Sequence, residues 1–383
     1  MEPQVRVHQT VESVADLASE WQVLHDDAGD VNPFSGPDWA VTWLEHFADD
    51  RRAPFVLSVR YGDRLVGVLP LYRQSAARVI DVLQPVGTGS PWIGPYELPA
   101  MTADPARGRA VARAVVAELC ARPDDWDWSS VIFGSAAPWL EPEWLPNWEF
   151  TVVPRRTIAT VTLDLAGGHD IYSGRRNLKE SFRRARNRLT RDLGTDGWST
   201  RRVLDEDEIG AAFDRLVRLH GSRADVQDGR PVHANVLADD RVQRYLREVV
   251  TRMSRRGAVS VYELLIADEV VAGQLMLHTS TATYSSVSGA TDAAWPYSAI
   301  TYLQSLAVAD AQQAGHRQLC LSAGPNQAKL RWTDRVDLTP EFGIIGPRRR
   351  SRMLSVAATA RGTVTSFVAA RRAHRAEVME RRK

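Results

Sequence analysis

The sequence has 383 residues, of which 44% are hydrophobic and 25% charged, and its formal net charge is +1. This length exceeds the size at which a single core keeps growing, so two domains are expected, and the composition excludes a disordered chain. No stretch approaches the roughly 20 apolar residues of a membrane span, and no signal sequence opens the chain, so we expect a cytoplasmic protein without a membrane partner.

The first half predicts two helices, a hairpin, a strand, a helix and a final strand. Apolar residues at helical spacing indicate a helix over 14–24 and another that begins at Trp39. A turn at residues 61–64 separates two strands of a hairpin. The other ranges follow from the same patterns: 39–47, 55–59, 65–72, 78–86, 107–120 and 130–133.

The second half repeats this order after a strand at 157–165. Helices are predicted at 178–193, 207–223 and 241–255, a hairpin at 259–267 and 270–279, a strand at 282–288, a helix at 299–314 and a strand at 318–322. Two copies of a mixed α/β unit are the economical description. We divide the chain into residues 1–150, residues 151–347 and a basic C-terminal helix over 348–383.

Several short motifs occur in a fixed order along nearly the whole chain. The first half contributes Pro33-Phe34, Trp39, Trp43 and Val66-Gly67-Val68-Leu69-Pro70-Leu71. The second half contributes Arg175-Arg176-Asn177, Leu219-His220, Arg223, Val271-Ala272-Gly273 and the segment Gly324-Pro325-Asn326-Gln327-Ala328-Lys329 with Trp332. In this order the sequence resembles the CelD/BcsL-like branch of the GNAT superfamily, which is related to the Fem-type aminoacyltransferases.

The resemblance implies tandem GNAT-like domains, each a mixed, mostly antiparallel sheet flanked by helices. It implies an acyltransferase that uses acyl-CoA or aminoacyl-tRNA as co-substrate, without a permanently bound cofactor, and a small-molecule or peptide amine as acceptor. Two positions depart from the family pattern. Leu321 stands where members often carry aspartate, and Ala328 stands where they often carry tyrosine.

Phosphates of such a donor suit a helix N-terminus, because free backbone amides and the helix dipole favour an anion. The matching place precedes the helix at 299–314, at Tyr297, Ser298 and Ala299, although the segment lacks the glycine-rich signature of acetyl-CoA users. An ordinary helix start capped by Ser298 is the alternative. We add Arg175, Arg176 and Asn326 as further donor-binding candidates.

Three side chains are candidates for the transfer chemistry. Lys329 could stabilise an oxyanion or bind a phosphate, although a solvated surface lysine is equally compatible with the sequence. His220 could act as a base near neutral pH, although a lone helical histidine is more often structural. Glu263 could face the acceptor amine on its hairpin strand, and we list Trp39, Trp92, Tyr96 and His278 as acceptor-binding candidates.

The run from Arg175 to Arg188 contains many arginines and few acids. Charge runs are usually solvated helix faces, but this one also suits the phosphate backbone of tRNA. Arg183, Arg184, Arg186 and Arg188 are therefore candidate nucleic-acid contacts under the aminoacyl-tRNA alternative. A non-catalytic scaffold is a third possibility, and the oligomeric state stays open.

The two cysteines, Cys120 and Cys320, each lie in an apolar run. Their spacing matches neither a metal site nor a disulfide framework, so we expect buried free thiols and no metal.

Overall fold

A computed structural model describes residues 2–29, 31–76, 80–88, 101–132, 151–168, 170–224, 235–353 and 356. Its strands are β1 (Gln4–His8), β2 (Arg52–Tyr61), β3 (Arg64–Ala76), β4 (Ile80–Pro85), β5 (Thr102–Ala103), β6 (Trp128–Ile132), β7 (Thr151–Asp164), β8 (Trp198–Val203), β9 (Val259–Ile266), β10 (Glu269–His278), β11 (Ala282–Ala290), β12 (Gln318–Ala323) and β13 (Val336–Ile345). Its α-helices are α1 (Val11–Ala15), α2 (Ala18–Ala28), α3 (Pro37–Phe47), α4 (Gly108–Ala121), α5 (Arg176–Leu193), α6 (Glu206–Ala224), α7 (Asp240–Ser254), α8 (Ala299–Gln313) and α9 (Gln327–Leu330). Short 3₁₀ turns cover Pro33–Ser35, Ala166–Gly168 and Asp292–Tyr297.

All strands join one 13-stranded sheet in the order β1-β2-β3-β4-β6-β13-β7-β12-β11-β10-β9-β8, with β5 paired to β3. The series β1-β2-β3-β4-β6 has three antiparallel pairings followed by a parallel one. The series β8-β9-β10-β11-β12 has the same pairings in the same order. Helices α4 and α8 make the two parallel crossovers. The tandem mixed α/β fold predicted from the repeated element order is therefore confirmed.

The centre of the sheet is built by an exchange of strands. Along the chain β7 follows β6, yet it pairs with β12 of the second unit. Likewise β13 follows β12, yet it pairs with β6 of the first unit. The two exchanged strands, β7 and β13, also pair with each other, antiparallel along nearly their full length.

Helices cover both faces of the sheet. On one face, which we call the front, α1, α2 and α3 of the first half and α6 and α7 of the second share one continuous core. On the other face, the back, α4 packs on the first-half strands, and α5 and α8 pack on the second-half strands. Within the described ranges, no helix is long and apolar enough to cross a membrane.

The front core holds the two halves together. Trp39 and Tyr245 pack edge to face with ring centroids 5.5 Å apart, and the Tyr245 hydroxyl donates to the Trp39 carbonyl at 3.2 Å. Around them, Arg241 donates to the His46 carbonyl at 2.6 Å, and His46 Nε2 lies 2.8 Å from Glu248 Oε2. Because helices of both halves bury their apolar side chains in this one core, the two units form one body.

Several local features differ from the sequence expectations. The helix predicted over 14–24 is two helices, because the chain turns at Asp16 and Leu17; the first is stabilised by a capping box between Thr10 and Ser13. Strands β1, β8 and β13 were not anticipated. Cys120 is half-buried rather than buried, while Cys320 is buried.

Most of the predicted C-terminal helix lies outside the described residues. Residues 349–353 are helical, and this segment docks on the first half through Asp127. The Asp127 carboxylate accepts from Arg350 at 2.8 Å and from Ser351 at 2.9 Å. The domain division at residue 150 stays a prediction.

The exchange of strands makes a testable prediction about chain fragments. Residues 1–150 expressed alone should not fold, because the outer edge of β6 is left without β13. In residues 151–383, β13 keeps β7 as a partner but loses β6 on its other edge. Co-expression should give a soluble complex that unfolds cooperatively, as measured by circular dichroism and size-exclusion chromatography. A cooperative thermal transition in the isolated 1–150 fragment would contradict this prediction.

Candidate active site

Strands β11 and β12 separate toward their C-terminal ends. They pair in parallel only at residues 282–284 and 318–320, while β11 continues to Ala290 and β12 to Ala323. We call the space between residues 285–290 and 321–323 the wedge. In open α/β sheets, ligands bind beyond the carboxyl ends of parallel strands, so the wedge is the natural place for a ligand.

Irregular backbone lines both sides of the wedge. On β11, the pairing with β10 shifts register between Gln274–Ser288 and Met276–Ser285, which indicates a bulge. On β12, the pairing with β7 shifts between Cys320 and Ala323, and Ser322 adopts a left-handed φ of 63°. Left-handed backbone at a residue other than glycine is uncommon and clusters at functional sites.

Lys329 lies at the β12 side of the wedge. Its Nζ donates to the Ala323 carbonyl at 2.6 Å and to Ser322 Oγ at 3.1 Å, so the strained turn at the end of β12 fixes the position of the ammonium group. Asn326, predicted as a donor contact, caps α9 by accepting from the Lys329 backbone N–H at 3.0 Å. The half-buried ammonium group is thus held beside the wedge rather than extended into solvent.

His220 lies at the β11 side, on the front face. Its Nδ1 donates to the Ser288 carbonyl at 2.9 Å, which leaves Nε2 of the neutral ring as the nitrogen that carries the lone pair. The contact depends on Gly289, where a Cβ atom would lie 2.3 Å from the His220 backbone nitrogen. His220 on α6 therefore contacts β11, and Lys329 on α9 contacts β12, at the same end of the wedge.

The α8 N-terminus follows β11 after the 3₁₀ turn Asp292–Tyr297. Ser298 has a left-handed φ of 51°, and its side chain does not cap the helix; the first turn carries no acidic residue. The first-turn amides of a 15-residue helix then face whatever lies ahead of it, which suits an anion. The predicted donor-binding residues Tyr297, Ser298 and Ala299 are the last residue of the 3₁₀ turn, the N-cap and the first residue of α8.

The basic helix α5 runs beside this helix start. Arg188 donates to the Pro296 carbonyl at 2.5 Å. Burial raises the pKa of Tyr302, in the first turn of α8, and the nearby Arg186 guanidinium opposes that rise. Part of the arginine run and the α8 N-terminus, recognised separately in the sequence, thus form one positively charged region.

Other residues of the basic run lie elsewhere. Arg183 and Arg184 point to solvent and pair with Glu180 at 2.7 and 3.1 Å, an arrangement typical of an exposed helix face. Arg175 caps the opposite end of α5, where it binds Asp334 at 2.8 Å, and Arg176 is exposed beside it. Twelve helical residues separate Arg176 from Arg188, about 18 Å, so Arg175 and Arg176 do not join the region at α8.

The first half has the same topology but a different helix start. Asp104 N–H donates to Val66 O at 2.9 Å, as Thr291 N–H donates to Val271 O at 2.9 Å, so the two positions correspond. The nearly buried Asp104 carboxylate accepts from the Ala106 N–H at 2.9 Å and from Arg107 at 2.7 Å. Along the chain, Asp104 lies closer to the start of α4 than Asp292 lies to the start of α8, so α8 is the better phosphate candidate of the two.

The corresponding wedge of the first half also differs. In the first half, Leu71 of β3 pairs with Pro85 and Val68 pairs with Thr102, so residues 86–101 lie between these two pairs in sequence. In the second half, the corresponding pairs on β10 leave only residues 286–288 between them. Trp92 and Tyr96, predicted acceptor contacts, belong to this insertion and lie outside the described residues.

Three further candidates occupy positions with a clear structural role. Glu263 is only 1% exposed, and its carboxylate accepts from Arg201 at 2.7 Å and from Arg215 at 2.7 Å. The carboxylate therefore joins β8 and α6 to β9 through the two guanidinium groups. Trp39 is 2% exposed in the core between the halves, which gives it a packing role.

His278 lies on the back face, at the end of β10 remote from the wedge. Its Nε2 lies 2.8 Å from Ser260 Oγ and its Nδ1 lies 3.1 Å from Thr283 Oγ1, which in turn lies 2.7 Å from His316 Nδ1. Burial, with Arg202 and His316 nearby, lowers the pKa of His278 to about 3. This network stabilises the sheet and does not face the wedge.

The sequence patterns missed two parts of the site. The sequence does not predict the left-handed backbone at Ser322, because a positive φ is typical of glycine or asparagine rather than of serine. The polar front face of β7 does have one: Thr160, Thr162 and Asp164 alternate with Val161 and Leu163, the pattern of a strand with one polar face.

Residues 176–330 match the sequence profile of the family described as Acetyltransferase (GNAT) domain. The structure is similar to that of FemX, at a TM-score of 0.58 and 11% identity over 92% of this chain and 99% of the other. It is also similar to a C-terminal domain described as that of a lysylphosphatidylglycerol synthetase from Agrobacterium fabrum, at a TM-score of 0.52 and 12% identity over 91% and 97% of the two chains. No curated protein matches the sequence. Residues 176–330 are therefore similar to a GNAT domain, and the chain shares its fold with FemX and with this synthetase domain.

The His278 network predicts a loss of stability in acid. The pKa of His278 is about 6.5 in the unfolded chain and about 3 in the fold, so the unfolded state binds a proton first. The free energy of unfolding should fall by about 1.4 kcal/mol per pH unit from this group as the pH drops from about 6 toward 3. Burial also lowers the pKa of His316 and His8, which act with the same sign.

The variant H278Q retains hydrogen-bonding groups but does not titrate. Urea unfolding of both proteins between pH 7 and pH 4.5 should give a shallower pH dependence for H278Q, by about one proton. Equal slopes for the two proteins would show that His278 is not held neutral in the fold.

Proposed function

We propose that the protein is an N-acyltransferase that moves an acyl group from an acyl-CoA donor to an amine of a small molecule or natural-product intermediate. The observation that carries the proposal is the α8 N-terminus, which lies beside arginines of α5 at the open end of the wedge, within the GNAT domain. Free helix amides and guanidinium groups together match the diphosphate of CoA in charge and in hydrogen bonding.

The reaction would be a direct transfer. The amine nitrogen attacks the thioester carbonyl carbon, the new C–N bond forms as the C–S bond breaks, and the sulfur leaves as a thiolate that is then protonated. Catalysis by positioning requires that the donor and the amine meet at one place. The end of the wedge, between β11 and β12, offers such a place next to the phosphate region.

His220 and Lys329 would then have distinct roles. His220 Nε2 would accept the proton that the amine loses, since the Nδ1 bond to Ser288 selects the required tautomer. Lys329, anchored by Ala323 and Ser322, would stabilise the negative charge that develops on the carbonyl oxygen. These roles rest on placement beside the wedge, and both side chains can be tested by substitution.

Calorimetric titration with CoA and acetyl-CoA is the first test of the donor. Micromolar binding supports an acyl-CoA enzyme, and an acceptor-amine screen with acetyl-CoA follows. Absence of binding moves the proposal to a carrier-bound donor or to an aminoacyl-tRNA.

Paired charge reversals on α5 test the phosphate region. R186E/R188E should weaken CoA binding at least tenfold, because two positive charges beside the α8 N-terminus become negative. R183E/R184E is the matched control, since those arginines lie on the same helix but pair with Glu180 in solvent. Equal affinities for the two double variants would remove the phosphate region from this place.

An aminoacyl-tRNA-dependent transferase is the second candidate. It is favoured by the exposed basic face of α5, which extends well beyond what a single CoA needs. In a filter-binding assay with charged tRNA, R183E/R184E should then weaken binding and lower its salt dependence while CoA affinity stays unchanged. A tRNA affinity that does not respond to either double variant would count against this candidate.

Substitution of Lys329 tests its catalytic role. K329M should lower kcat by about a hundredfold, the usual cost of removing one group that stabilises an oxyanion, with little change in donor affinity. K329R should not restore the rate, since the guanidinium cannot reproduce the bonds to Ala323 O and Ser322 Oγ. A kcat for K329M within twofold of the wild type would assign Lys329 a structural role.

A further inference from the structure

Thr160 on β7 is buried, with only 7% of its surface exposed. Its hydroxyl nevertheless has no hydrogen-bond partner in the described parts of the chain. Its neighbours on the same face, by register, are Ala323 on β12 and Asp337 on β13. Asp337 already accepts from Arg335 at 3.0 Å, and alanine offers no side-chain polar atom. A buried hydroxyl without a partner costs stability, so its retention calls for an explanation.

The position of Thr160 relates it to the wedge. Residues directly opposite in an antiparallel pair share a face, so Thr160 and Ala323 lie side by side, about 4.8 Å apart across the two strands. Both are on the front face with Thr162 and Cys320, the face on which α6 carries His220. The small side chain of Ala323 lies between Thr160 and the open edge of β12.

The front-face helices make their main contacts with strands away from the centre of the sheet, where β7 and β13 lie. Their main contacts are with β1, β2, β3 and β5 in the first half and with β8 to β11 in the second. On this face of the exchanged strands, Thr160 and Thr162 are polar and buried, at the level of Lys329, whose Nζ is bonded to the carbonyl of the same Ala323.

We infer that Thr160 is a specificity-determining residue that binds a hydroxyl group of the acceptor, on the carbon next to the reacting amine. The inference rests on the proposed transfer at the wedge and names the acceptor class: a vicinal amino alcohol, the chemistry of amino sugars and hydroxylated amines. A hydroxyl both donates and accepts, so it complements the threonine hydroxyl in either direction. One strand spacing separates Thr160 from Ala323, and a group one or two bonds from the nitrogen spans that separation.

The test uses two amines that differ only in the hydroxyl, trans-2-aminocyclohexanol and cyclohexylamine, with acetyl-CoA as donor. The wild-type protein should prefer the amino alcohol by about tenfold in kcat/KM, the effect of one hydrogen bond to a buried group. T160V should reduce that preference to near unity and leave kcat/KM for cyclohexylamine unchanged. The ratio between proteins cancels the different basicities of the two amines.

Three controls separate binding from structure. T160S should retain the preference, and T162V, on the same face two residues along β7, should also retain it. T160V should melt at or above the wild-type temperature, because it removes an unpartnered hydroxyl at constant volume. An undiminished preference in a folded T160V protein overturns the inference.

Failure of the proposed transfer gives a different result. If neither amine is acetylated, the proposed function or its donor is wrong, and the two amines are titrated calorimetrically against wild-type protein and T160V. Tighter binding of the amino alcohol that is lost in T160V still supports the Thr160 site. Equal affinities of the wild-type protein for both amines overturn it.

Discussion

Backbone hydrogen bonding at the centre of the sheet is the constraint on which the rest of the molecule depends. Each unit ends in a parallel strand, β6 or β12, whose outer edge has to be paired. The outer edge of β6 is paired by β13, which comes after β12 in the chain, and the outer edge of β12 is paired by β7, which comes directly after the first half. The shared front core and the strand exchange then act together, and the wedge is held on a rigid frame.

The two units show how one topology can support unequal chemistry. Both contain the splayed parallel pair and the crossover helix, and neither crossover helix has an acidic residue in its first turn. In the first, Asp104 precedes the helix, and residues 86–101 replace the short bulge of β11. This difference is compatible with a role for the first copy in shaping the surroundings of the second.

The repeated order of elements was readable from the sequence because apolar periodicity and hairpin turns are local properties. Hairpin β9–β10 and helices α5 to α8 were found within a few residues. The pairing of β7 and β13 was not, since partners distant in sequence leave no local pattern. The polar alternation of Asp337, Thr339 and Glu341 does not predict strand β13, because Pro340 and Gly343 are residues that disfavour a central strand.

The candidate site residues also divide into those that the sequence could indicate and those that depend on partners distant in sequence. Lys329, His220 and the α8 N-terminus were proposed from a family resemblance, and they lie around one wedge. Glu263 and His278 were proposed from residue type alone, and their partners, Arg201 and Arg215 or Ser260 and Thr283, come from other elements that only the fold assembles. Tertiary partners decide whether a titratable group is available, and no short segment of sequence contains them.

The exchange of strands also governs the order of events during synthesis. Strand β6 emerges from the ribosome some two hundred residues before β13, the strand that pairs with its outer edge. During that interval the first half has an unpaired strand edge and cannot complete its part of the sheet, so folding must await nearly the whole polypeptide. A protein of this design gains a firmly joined pair of units at the cost of slow, late folding, and its nascent chain is the form most exposed to aggregation.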